Sequence, residues 1–282
     1  MTLPVYIDRN LQQPRVGDVV VLSGDEARHA ATVRRTRCAE RIDIVDGRGL
    51  RVTVEVDDVA KNQLSGTALE VKNEKAPDVR IILVQALAKG GRDEQAVETS
   101  TEFGVDEVVP WESQRAIVTW SQPGKASKGT AKWQLTADAA AKQSRRSYVP
   151  VVHDVVKSRE LAAKIGQWVA NDCWVLVCHE EARDSLVQHL RTLVFCQGEG
   201  SASDDSPEIS ATMASLPAQI VVIVGPEGGI APEEIELFTG AGAQPVLLGE
   251  HVLRSATAGS WAIAVLRAFT DAQMWRSKVE SN

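Results

Sequence analysis

The sequence predicts an α/β protein in which a parallel sheet is preceded by a small β-rich domain. From residue 80 onward, apolar runs of strand length alternate with segments of helix length, the pattern of a parallel sheet covered on both faces. The first 74 residues instead carry short alternating apolar stretches, typical of half-buried strands. The chain has 282 residues, of which 44% are hydrophobic and 24% charged, so it can build a core in each domain.

The first domain is expected to span residues 1–74. Alternating apolar stretches predict four strands: Asp18–Leu22, Arg41–Val45, Leu50–Val56 and Leu64–Val71. A turn joins two of them at Asp46-Gly47-Arg48-Gly49. One helix is predicted over Ala27–Arg35, because Ser23 and Glu26 form a capping-box pattern in front of it. A polar segment containing Pro77 then indicates a linker, Lys72–Asp78.

The second domain is expected to span residues 75–282. Its apolar runs predict six strands: Arg80–Leu87, Asp106–Trp111, Val149–Val156, Cys173–Cys178, Gln219–Gly225 and Pro245–Gly249. Helices are predicted at 92–103, 131–145, 158–171, 233–240 and 255–275. Two long loops interrupt this pattern. We expect the Gly/Ser/Lys-rich stretch Ser121–Gly129 to be mobile and the acidic stretch Gln197–Ala218 to be a flexible surface insertion.

Charge is distributed unevenly along the chain. The net charge is −7, and residues 157–282, with nine basic and 16 acidic side chains, account for all of it. Residues 28–51 carry seven arginines against three acidic residues, and residues 113–148 carry seven basic residues against Asp138 alone. Each basic stretch by itself is as compatible with a solvated surface as with phosphate binding. Two of them in one acidic protein favour a nucleic-acid partner.

Several classes of protein are disfavoured by simple features of the sequence. No apolar run approaches the roughly 18 residues of a membrane-spanning helix. The first residues lack the layout of a signal peptide, so we expect a cytoplasmic protein. The four cysteines have neither CxxC nor Cys/His ligand spacing. They predict buried reduced thiols, with no disulfide and no metal site.

The most specific stretch is a glycine-rich turn between an apolar strand and a helix, Val224-Gly225-Pro226-Glu227-Gly228-Gly229-Ile230. It matches neither a Walker loop nor GxGxxG, and Glu233 and Glu234 at the following helix start would repel a pyrophosphate. Glycines here allow a ligand to approach the backbone. A small ligand that is cationic or that contacts backbone amides fits this turn. A purely structural turn is the alternative.

A second strand also ends in a glycine turn, Leu247-Leu248-Gly249, and continues through Val252-Leu253-Arg254 into a helix capped by Ser255 or Thr257. That helix is rich in small residues, which permit close packing. The carboxyl ends of parallel strands meet at one edge of a sheet, where α/β proteins bind ligands. We therefore expect the two turns to lie side by side, unless the helix merely closes the core.

These motifs together resemble the bacterial 16S ribosomal RNA uridine-N3 methyltransferases of the SPOUT superfamily. The resemblance covers nearly the whole chain. Its N-terminal part is carried by Arg28-His29, Val33-Arg34 and Asp46-Gly47-Arg48-Gly49. Its middle part is carried by Lys89, Arg92, Glu102-Phe103-Gly104-Val105, Pro110, Arg115, Trp133, Gln143-Ser144 and Arg146, and its last part by the two glycine turns. The chain departs from the family at Thr99, Lys142 and Ala256 and in the acidic insertion.

The resemblance implies a PUA-like β-barrel followed by a SPOUT domain whose C-terminal sheet forms a trefoil knot. It also implies a homodimer that holds S-adenosylmethionine in the knot. The implied cofactor-binding residues are Val224, Gly225, Pro226, Glu227, Gly228, Gly229, Ile230, Leu247, Leu248, Gly249, Val252, Leu253 and Thr257. A third knot loop is expected at Cys178-His179-Glu180-Glu181, with Cys178 and His179 as further cofactor-binding residues, although His179 is equally compatible with an ordinary strand end.

Methylation of uridine N3 requires loss of a weakly acidic imide proton, so a cation beside O2 or O4 would stabilise the developing anion. Arg254 is the candidate, with phosphate anchoring as an equal alternative. Glu227 is a candidate proton acceptor, with a structural turn carboxylate as its alternative. Because N3 lies on the Watson–Crick edge, the uridine must be unpaired or flipped out. The expected RNA-binding residues are Arg28, His29, Arg34, Arg35, Arg48, Lys89, Arg92, Arg115, Lys132, Arg145 and Arg146.

The sequence thus favours an enzyme that acts on 16S ribosomal RNA in the small ribosomal subunit. One alternative is a SPOUT enzyme that methylates a ribose 2′-hydroxyl. A second, from another class, is a non-catalytic RNA-binding assembly factor, which the intact pair of glycine turns disfavours. A nucleotide-dependent dehydrogenase is unsupported, because no dinucleotide fingerprint is present.

Overall fold

The computed structural model describes residues 2–195 and 216–280, and its backbone divides into two units. The first unit comprises Met1–Pro77 together with Gln134–Val151, and the second comprises Asp78–Trp133 together with Val152–Asn282. The sequence analysis ended the first domain at residue 74 and assigned residues 134–151 to the second. The acidic insertion expected at 197–218 lies outside the described residues, except for its last three.

The first unit is built on a five-stranded sheet. Its strands are β1 (Val5–Ile7), β2 (Val19–Ser23), β3 (Arg41–Val45), β4 (Leu50–Ala60) and β5 (Gln63–Asn73). They lie in the order β1-β3-β4-β5-β2, parallel between β1 and β3 and antiparallel elsewhere. Alternate residues point inward and form a core that includes Tyr6, Leu22, Ile42, Ile44 and Leu64. The four predicted strands are confirmed, and β1 was not predicted.

The helix predicted over Ala27–Arg35 has a different form in the structure. Helix α1 covers Gly24–Arg28 and a π-helical segment follows over His29–Arg34. The predicted capping box is wrong, because the Ser23 side chain makes no cap hydrogen bond. The Glu26 carboxylate instead accepts a hydrogen bond from the Ile7 N–H at 3.4 Å and pairs with Lys142 at 2.5 Å. The Glu26 carboxylate therefore bonds to residues that are distant in the sequence and not to the start of its own helix.

Residues 134–151 join the first unit through specific contacts. The Arg51 guanidinium donates to the Arg145 carbonyl at 2.8 Å, and the Val149 N–H donates to the Gly47 carbonyl at 3.0 Å. The Tyr148 ring lies over Gly49, where a Cβ would come within 2.4 Å of its hydroxyl oxygen. Gly49 also has a positive φ of 111°. This turn therefore requires glycine both for its backbone conformation and for the approach of the ring.

The second unit is built on a parallel sheet with the strand order β12-β10-β11-β6-β7-β8, and β9 also pairs with β7. The strands are β6 (Arg80–Ala86), β7 (Glu107–Glu112), β8 (Val151–Val152), β9 (Val156–Lys157), β10 (Trp174–Cys178), β11 (Gln219–Val224) and β12 (Gln244–Val246). The pairs β6–β7, β6–β11, β10–β11 and β10–β12 are parallel. The prediction of a parallel sheet is confirmed. One predicted strand, Val149–Val156, is instead two short ones.

The remaining helices are α2 (Arg92–Glu102), α3 (Lys125–Gln143), α4 (Ser158–Ala170), α5 (Leu186–Phe195), α6 (Pro232–Gly240) and α7 (Ser255–Glu280). Helix α5 was not predicted. The loop expected at Ser121–Gly129 is shorter, because α3 already begins at Lys125. A Cβ at Gly129 would lie 2.5 Å from the Trp120 ring, so the glycine lets this buried ring pack on the helix backbone. No helix within 2–195 and 216–280 has the length and apolarity needed to cross a membrane.

Helix α7 packs closely on the sheet because its inner face is built from small residues. A Cβ at Gly259 would lie 2.9 Å from Leu83 of β6. The fully buried Gln85 of the same strand donates to the Ser255 hydroxyl at 3.0 Å. The predicted cap is therefore wrong for Ser255, and the Thr257 hydroxyl bonds to the Arg254 carbonyl at 3.1 Å. These contacts place the start of α7 above the end of β6.

Candidate active site

Three loops follow the carboxyl ends of the neighbouring strands β10, β11 and β12 and line one cavity of about 850 Å³ within the second unit. A cavity of this volume is typical of small-molecule sites. The three loops are the ones that the sequence analysis singled out. The lining includes Cys178, His179, Val224, Gly225, Pro226, Glu227, Gly228, Gly229, Ile230, Leu247, Leu248, Gly249, Val252, Leu253 and Arg254. Among the residues suggested for the cofactor, only Thr257 is absent from this lining.

The third loop, which had the weakest support in the sequence, is tied to β12 by backbone hydrogen bonds. The His179 N–H donates to the Val246 carbonyl at 3.1 Å, and the Leu247 N–H donates to the Asp184 carbonyl at 2.9 Å. The Leu186 N–H in turn donates to the Leu247 carbonyl at 2.8 Å. This loop is therefore held against the strand that leads into Gly249. Burial raises the pKa of the Cys178 thiol to about 12, so the thiol stays protonated at neutral pH.

The glycines of the cavity have different roles. A Cβ at Gly225 would lie 2.6 Å from the Ile230 side chain, so this glycine is required for the loop to close on itself. Gly229 has a φ of 72°, and its N–H donates to the Pro226 carbonyl at 3.0 Å. A Cβ at Gly249, in contrast, would meet no protein atom within 4 Å. The structure of the protein explains why Gly225 and Gly229 are glycines, but it does not explain why Gly249 is one.

Glu227 is paired with an arginine that the sequence analysis assigned to RNA. Its carboxylate accepts a hydrogen bond from the Arg92 guanidinium at 2.7 Å. Burial raises the pKa of the Glu227 carboxyl, but the hydrogen bond and charge of Arg92, together with the backbone N–H groups of Glu227 and Lys89, lower it further than burial raises it. The net effect is a pKa below the usual value. Such a carboxylate is a weak base.

A second arginine from the RNA-binding set, Arg115, also lines the cavity. Its guanidinium donates to the Gly228 carbonyl at 3.2 Å and lies beside Gly229. Arg115 follows β7, so it reaches the glycine loop from a neighbouring part of the sheet. The sequence assigned Arg92 and Arg115 to RNA binding and carried no signal that both form walls of this cavity.

Arg254 is the last residue before α7. Its carbonyl accepts hydrogen bonds from the N–H groups of Thr257 and Ala258, each at 2.9 Å. Its side chain is exposed and lines the cavity, and it has no ion-pair partner within 2–195 and 216–280. A guanidinium that is free of a carboxylate remains available to bind an anion.

The basic residues of the first unit differ in whether they pair with an acidic side chain. Arg34 and Arg35 are exposed, with no ion-pair partner among the residues described. Arg28 pairs with Asp25 at 2.5 Å as an exposed pair, which contributes little stability, and the exposed Arg48 pairs with the buried Asp46 at 3.3 Å. His29 packs its ring edge-on against the buried Tyr6, with ring centroids 6.3 Å apart. This contact supports a structural role for His29.

The second basic stretch does not form one continuous patch. Lys132 pairs with Glu94 at 2.5 Å and Lys142 pairs with Glu26, while Arg115 lies in the cavity. Arg145 and Arg146 belong to the first unit, where the Tyr148 backbone bridges to Arg48. Lys89 is exposed at the end of β6. The structure therefore joins Arg48 with Arg145 and Arg146 in one unit, which their separation in sequence did not suggest.

The cavity lining also includes Glu180 and Glu181 of the predicted third loop and Glu250 and His251 of the predicted stretch Leu247–Leu253. Three further lining residues were not predicted as part of the site: Pro232, Ser255 and Ala258. Each lies one or two positions from a predicted residue, so slightly longer motifs would have included them. Cys38 is an exposed residue, whereas Cys173 and Cys178 are half-buried residues, so the prediction of buried cysteines was wrong for Cys38. The described residues contain no group of three or more His, Cys, Asp or Glu arranged to hold a metal.

Comparison with known proteins matches both units to one kind of enzyme. The sequence model of an RNA methyltransferase domain matches residues 74–267, and that of an RNA methyltransferase PUA domain matches residues 22–69. The ribosomal RNA small subunit methyltransferase E of Mycobacterium tuberculosis is 35% identical over 91% of this chain and 89% of its own. That of Bacillus subtilis is 27% identical over 94% and 96%, respectively.

Solved structures show the same similarity. The crystal structure of a ribosomal RNA small subunit methyltransferase E from Neisseria gonorrhoeae bound to S-adenosyl methionine has a TM-score of 0.75 and 28% identity. The match covers 95% of this chain and 98% of that one. A methyltransferase from Legionella pneumophila, at 24% identity and a TM-score of 0.76, shares the fold.

Proposed function

This chain belongs to the ribosomal RNA small subunit methyltransferase E family of RNA methyltransferases, and from that premise we propose that it transfers the methyl group of S-adenosylmethionine to N3 of a uridine in 16S ribosomal RNA. One observation carries the proposal. The two glycine turns and the loop at His179 come from distant parts of the sequence and line a single cavity that also contains the free guanidinium of Arg254.

The cavity has the chemistry that S-adenosylmethionine requires. Apolar residues suited to an adenine ring, including Leu247 and Leu248, line it beside the exposed backbone of Gly249. The proposed cofactor-binding residues are those of the three loops, from Cys178 to His179, Val224 to Ile230 and Leu247 to Leu253. Thr257 is left out of this set because it does not line the cavity. When bound, S-adenosylmethionine supplies an electrophilic methyl group.

Arg254 supplies the positive charge near the reacting base. Uridine N3 becomes nucleophilic as its proton passes to water, and negative charge then spreads to O2 and O4. A guanidinium without a carboxylate partner stabilises that charge, and alignment of the base in the cavity contributes as much or more. The alternative role, anchoring a phosphate, would affect RNA affinity and leave the chemical step unchanged.

Glu227 acts through Arg92 and is not the proton acceptor. Its pKa is lowered, so its carboxylate has little affinity for the imide proton. The 2.7 Å pair instead fixes the Arg92 guanidinium at the cavity wall. Arg92 and Arg115 therefore belong to the wall of the active site, where they contact the cofactor or the flipped nucleotide.

RNA recognition is assigned to exposed cations on both units. On the first unit these are Arg28, Arg34, Arg35, Arg48 and Arg145, together with the half-buried Arg146, and on the second they are Lys89 and Lys132. His29 is a weaker candidate, because its ring packs on Tyr6. These residues would contact phosphates, while the cavity selects the base. The substrate is the assembled small subunit, and the enzyme acts in the cytoplasm, where bacterial ribosomes are assembled.

The active enzyme is a homodimer in this proposal. Val252, at the rim of the cavity, is 78% exposed and Trp261, on the outer side of α7, is 37% exposed. Large exposed apolar side chains are often buried by a partner. A second copy of the chain across α7 would cover both, and would bring the subunit interface next to the cavity. The trefoil knot is part of the same proposal.

The experiment that tests the function is a methyl-transfer assay on unmodified small ribosomal subunits with S-adenosylmethionine. The product nucleoside is identified by mass spectrometry, and its position is mapped by reverse-transcription stops. 3-Methyluridine is the expected product. A 2′-O-methylated nucleoside would contradict the N3 assignment and retain the fold and cofactor. Absence of S-adenosylmethionine binding would contradict the enzymatic proposal and favour an assembly factor.

A further inference from the structure

A fully buried carboxylate lies directly behind the cavity. Glu234, in the first turn of α6, is 0% exposed and has no cationic partner among the residues described. Its Oε1 accepts hydrogen bonds from the Gln114 N–H at 2.8 Å and from the Ser158 hydroxyl at 2.5 Å. Its Oε2 accepts one from the Ala231 N–H at 3.2 Å. A buried charge is tolerated only with such a set of donors, and the N-terminus of α6 adds to them.

The donors belong to three parts of the chain. Ala231 is the N-cap residue of α6 and directly follows the glycine loop, Gln114 lies in the segment after β7, and Ser158 begins α4. A solvent-exposed glutamate in the first turn of α6 would serve the helix terminus equally well without the cost of desolvation. The burial of Glu234 therefore indicates that the carboxylate connects the surrounding elements and does more than stabilise its own helix.

Two of the three donors lie next to residues that line the cavity. Ala231 directly follows Ile230, which lines it, and Gln114 directly precedes Arg115. The Arg115 guanidinium in turn meets the Gly228 carbonyl at 3.2 Å. The Glu234 carboxylate therefore holds both the chain segment that carries the Arg115 side chain and the one that carries the Gly228 carbonyl. Ser158 shares the carboxylate, but α4 contributes no residue to the cavity lining.

We propose that Glu234 is a positioning residue that fixes the glycine loop against Arg115 and thereby shapes the cavity for its ligand. The inference rests on the proposed function, because it takes that ligand to be S-adenosylmethionine. It concerns a residue that contacts neither cofactor nor RNA and that acts through the backbone of Gln114 and Ala231.

The test compares Glu234→Gln with Ser158→Ala in the full-length chain, by titration calorimetry with S-adenosylmethionine. A glutamine presents an NH₂ group to one of the two backbone N–H donors, so that contact is lost. We expect the dissociation constant to rise at least tenfold. Ser158→Ala removes a donor from the same carboxylate and lowers the melting temperature, but leaves the dissociation constant within twofold. Equal dissociation constants in the two variants would overturn the proposal.

A double-mutant cycle with Arg115→Ala separates positioning from general destabilisation. If Glu234 acts through the contact between Arg115 and Gly228, the double variant binds S-adenosylmethionine no more weakly than the weaker single variant. Strictly additive losses of affinity would overturn the proposal. If the wild-type chain itself binds no S-adenosylmethionine, the proposed function fails, which is a different result from either of these.

Amide hydrogen exchange of the wild-type chain provides a test that does not depend on the folding of any variant. Saturation with S-adenosylmethionine is expected to slow exchange at Gln114 and Ala231 together with Gly228 and Gly229, because one carboxylate links the two segments. Slower exchange at the glycine loop with unchanged exchange at Gln114 would show that the two walls are not coupled, and would overturn the proposal.

Discussion

Gly249 is the residue in the cavity whose identity is least explained by the packing of the protein. Its neighbours leave open space around the position of a Cβ, and its φ lies outside the left-handed region. Gly225, by contrast, is required by Ile230 at 2.6 Å, and Gly229 by its φ of 72°. A glycine without a structural requirement in the wall of a binding site indicates close approach of a ligand to the backbone.

Gly249→Ala is therefore expected to weaken S-adenosylmethionine binding at least tenfold, because the added methyl group occupies space that the ligand requires. The melting temperature is expected to change little, since no protein atom lies within 4 Å of the new carbon. Titration calorimetry and thermal unfolding measure the two effects. Gly240→Ala, at the end of α6 and equally open, is the matched control and should bind normally. Normal binding by Gly249→Ala would contradict the assignment.

Arg254→Ala is expected to lower the single-turnover rate of methyl transfer by about 100-fold or more, the usual loss when one donor to a developing anion is removed. Affinity for S-adenosylmethionine and for RNA is expected to stay within a few fold. Arg254→Lys keeps the charge without the planar fork, and should recover part of the rate. An unchanged single-turnover rate with weakened RNA binding would show that Arg254 anchors a phosphate.

At the scale of elements, the π-helical segment of the first unit combines a buried side with an exposed cationic side. Ala30 is fully buried, and the Thr36 N–H donates to its carbonyl at 3.0 Å. Arg35 ends the segment with a positive φ of 55°, a conformation that non-glycine residues seldom adopt. Segments of this kind occur frequently at functional sites. The segment presents Arg34 and Arg35 to solvent.

Removal of the charges at Arg34 and Arg35 by substitution with glutamine is expected to weaken RNA binding and to reduce its dependence on salt. Each lost phosphate contact lowers the slope of log affinity against log salt by about 0.7–0.9. Filter binding or fluorescence anisotropy over a range of salt concentrations measures this slope. Arg159 and Arg191, exposed cations of the second unit, provide a control pair. An unchanged slope in the Arg34/Arg35 variant would show that these arginines do not contact phosphate.

At the scale of the whole molecule, family models match a PUA domain at residues 22–69 and an RNA methyltransferase domain at residues 74–267, and the second unit contains the predicted parallel sheet. A shared carboxylate, that of Glu74, connects the added segment 134–151 to the rest of the first unit. The Glu74 carboxylate pairs with Arg51 at 2.5 Å and accepts a hydrogen bond from the Ser147 hydroxyl. Burial raises the pKa of Glu74, but Arg51 and Ser147 lower it by more, so its folded-state pKa lies below 4.5.

Because the pKa of Glu74 is lower in the folded than in the unfolded chain, its contribution to stability is complete above pH 4.5 and is lost as the pH falls toward the folded-state value. Glu74→Gln is therefore expected to lower the melting temperature at pH 7, with a difference from wild type that shrinks as the pH approaches 3. Thermal unfolding followed by circular dichroism measures this. Glu70→Gln, which removes an exposed pair with Lys72, should have little effect. A difference that is independent of pH would contradict the role of Glu74.

Much of the fold follows from local patterns. The apolar runs at Arg80–Ala86 and Gln219–Val224 are long and unbroken enough to be recognised as buried parallel strands. The short strands at Val5–Ile7 and Val151–Val152 carry no such pattern, because pairing partners far along the chain determine them. Glu26 illustrates the same limit. Its capping signal was clear, but Ile7 and Lys142 supply the contacts that the carboxylate makes.

The family, the two glycine turns and the strands and helices next to them could be recognised from the sequence, because each depends on residues that are close along the chain. The packed structure was needed to show that Arg92 and Arg115 form cavity walls, that Glu234 bonds to the backbone beside Arg115, and that residues 134–151 join the first unit. Each of these depends on contacts between residues separated by many positions. Hydrophobic periodicity and short motifs report which side of an element is buried, but only the packed structure specifies which partner covers it.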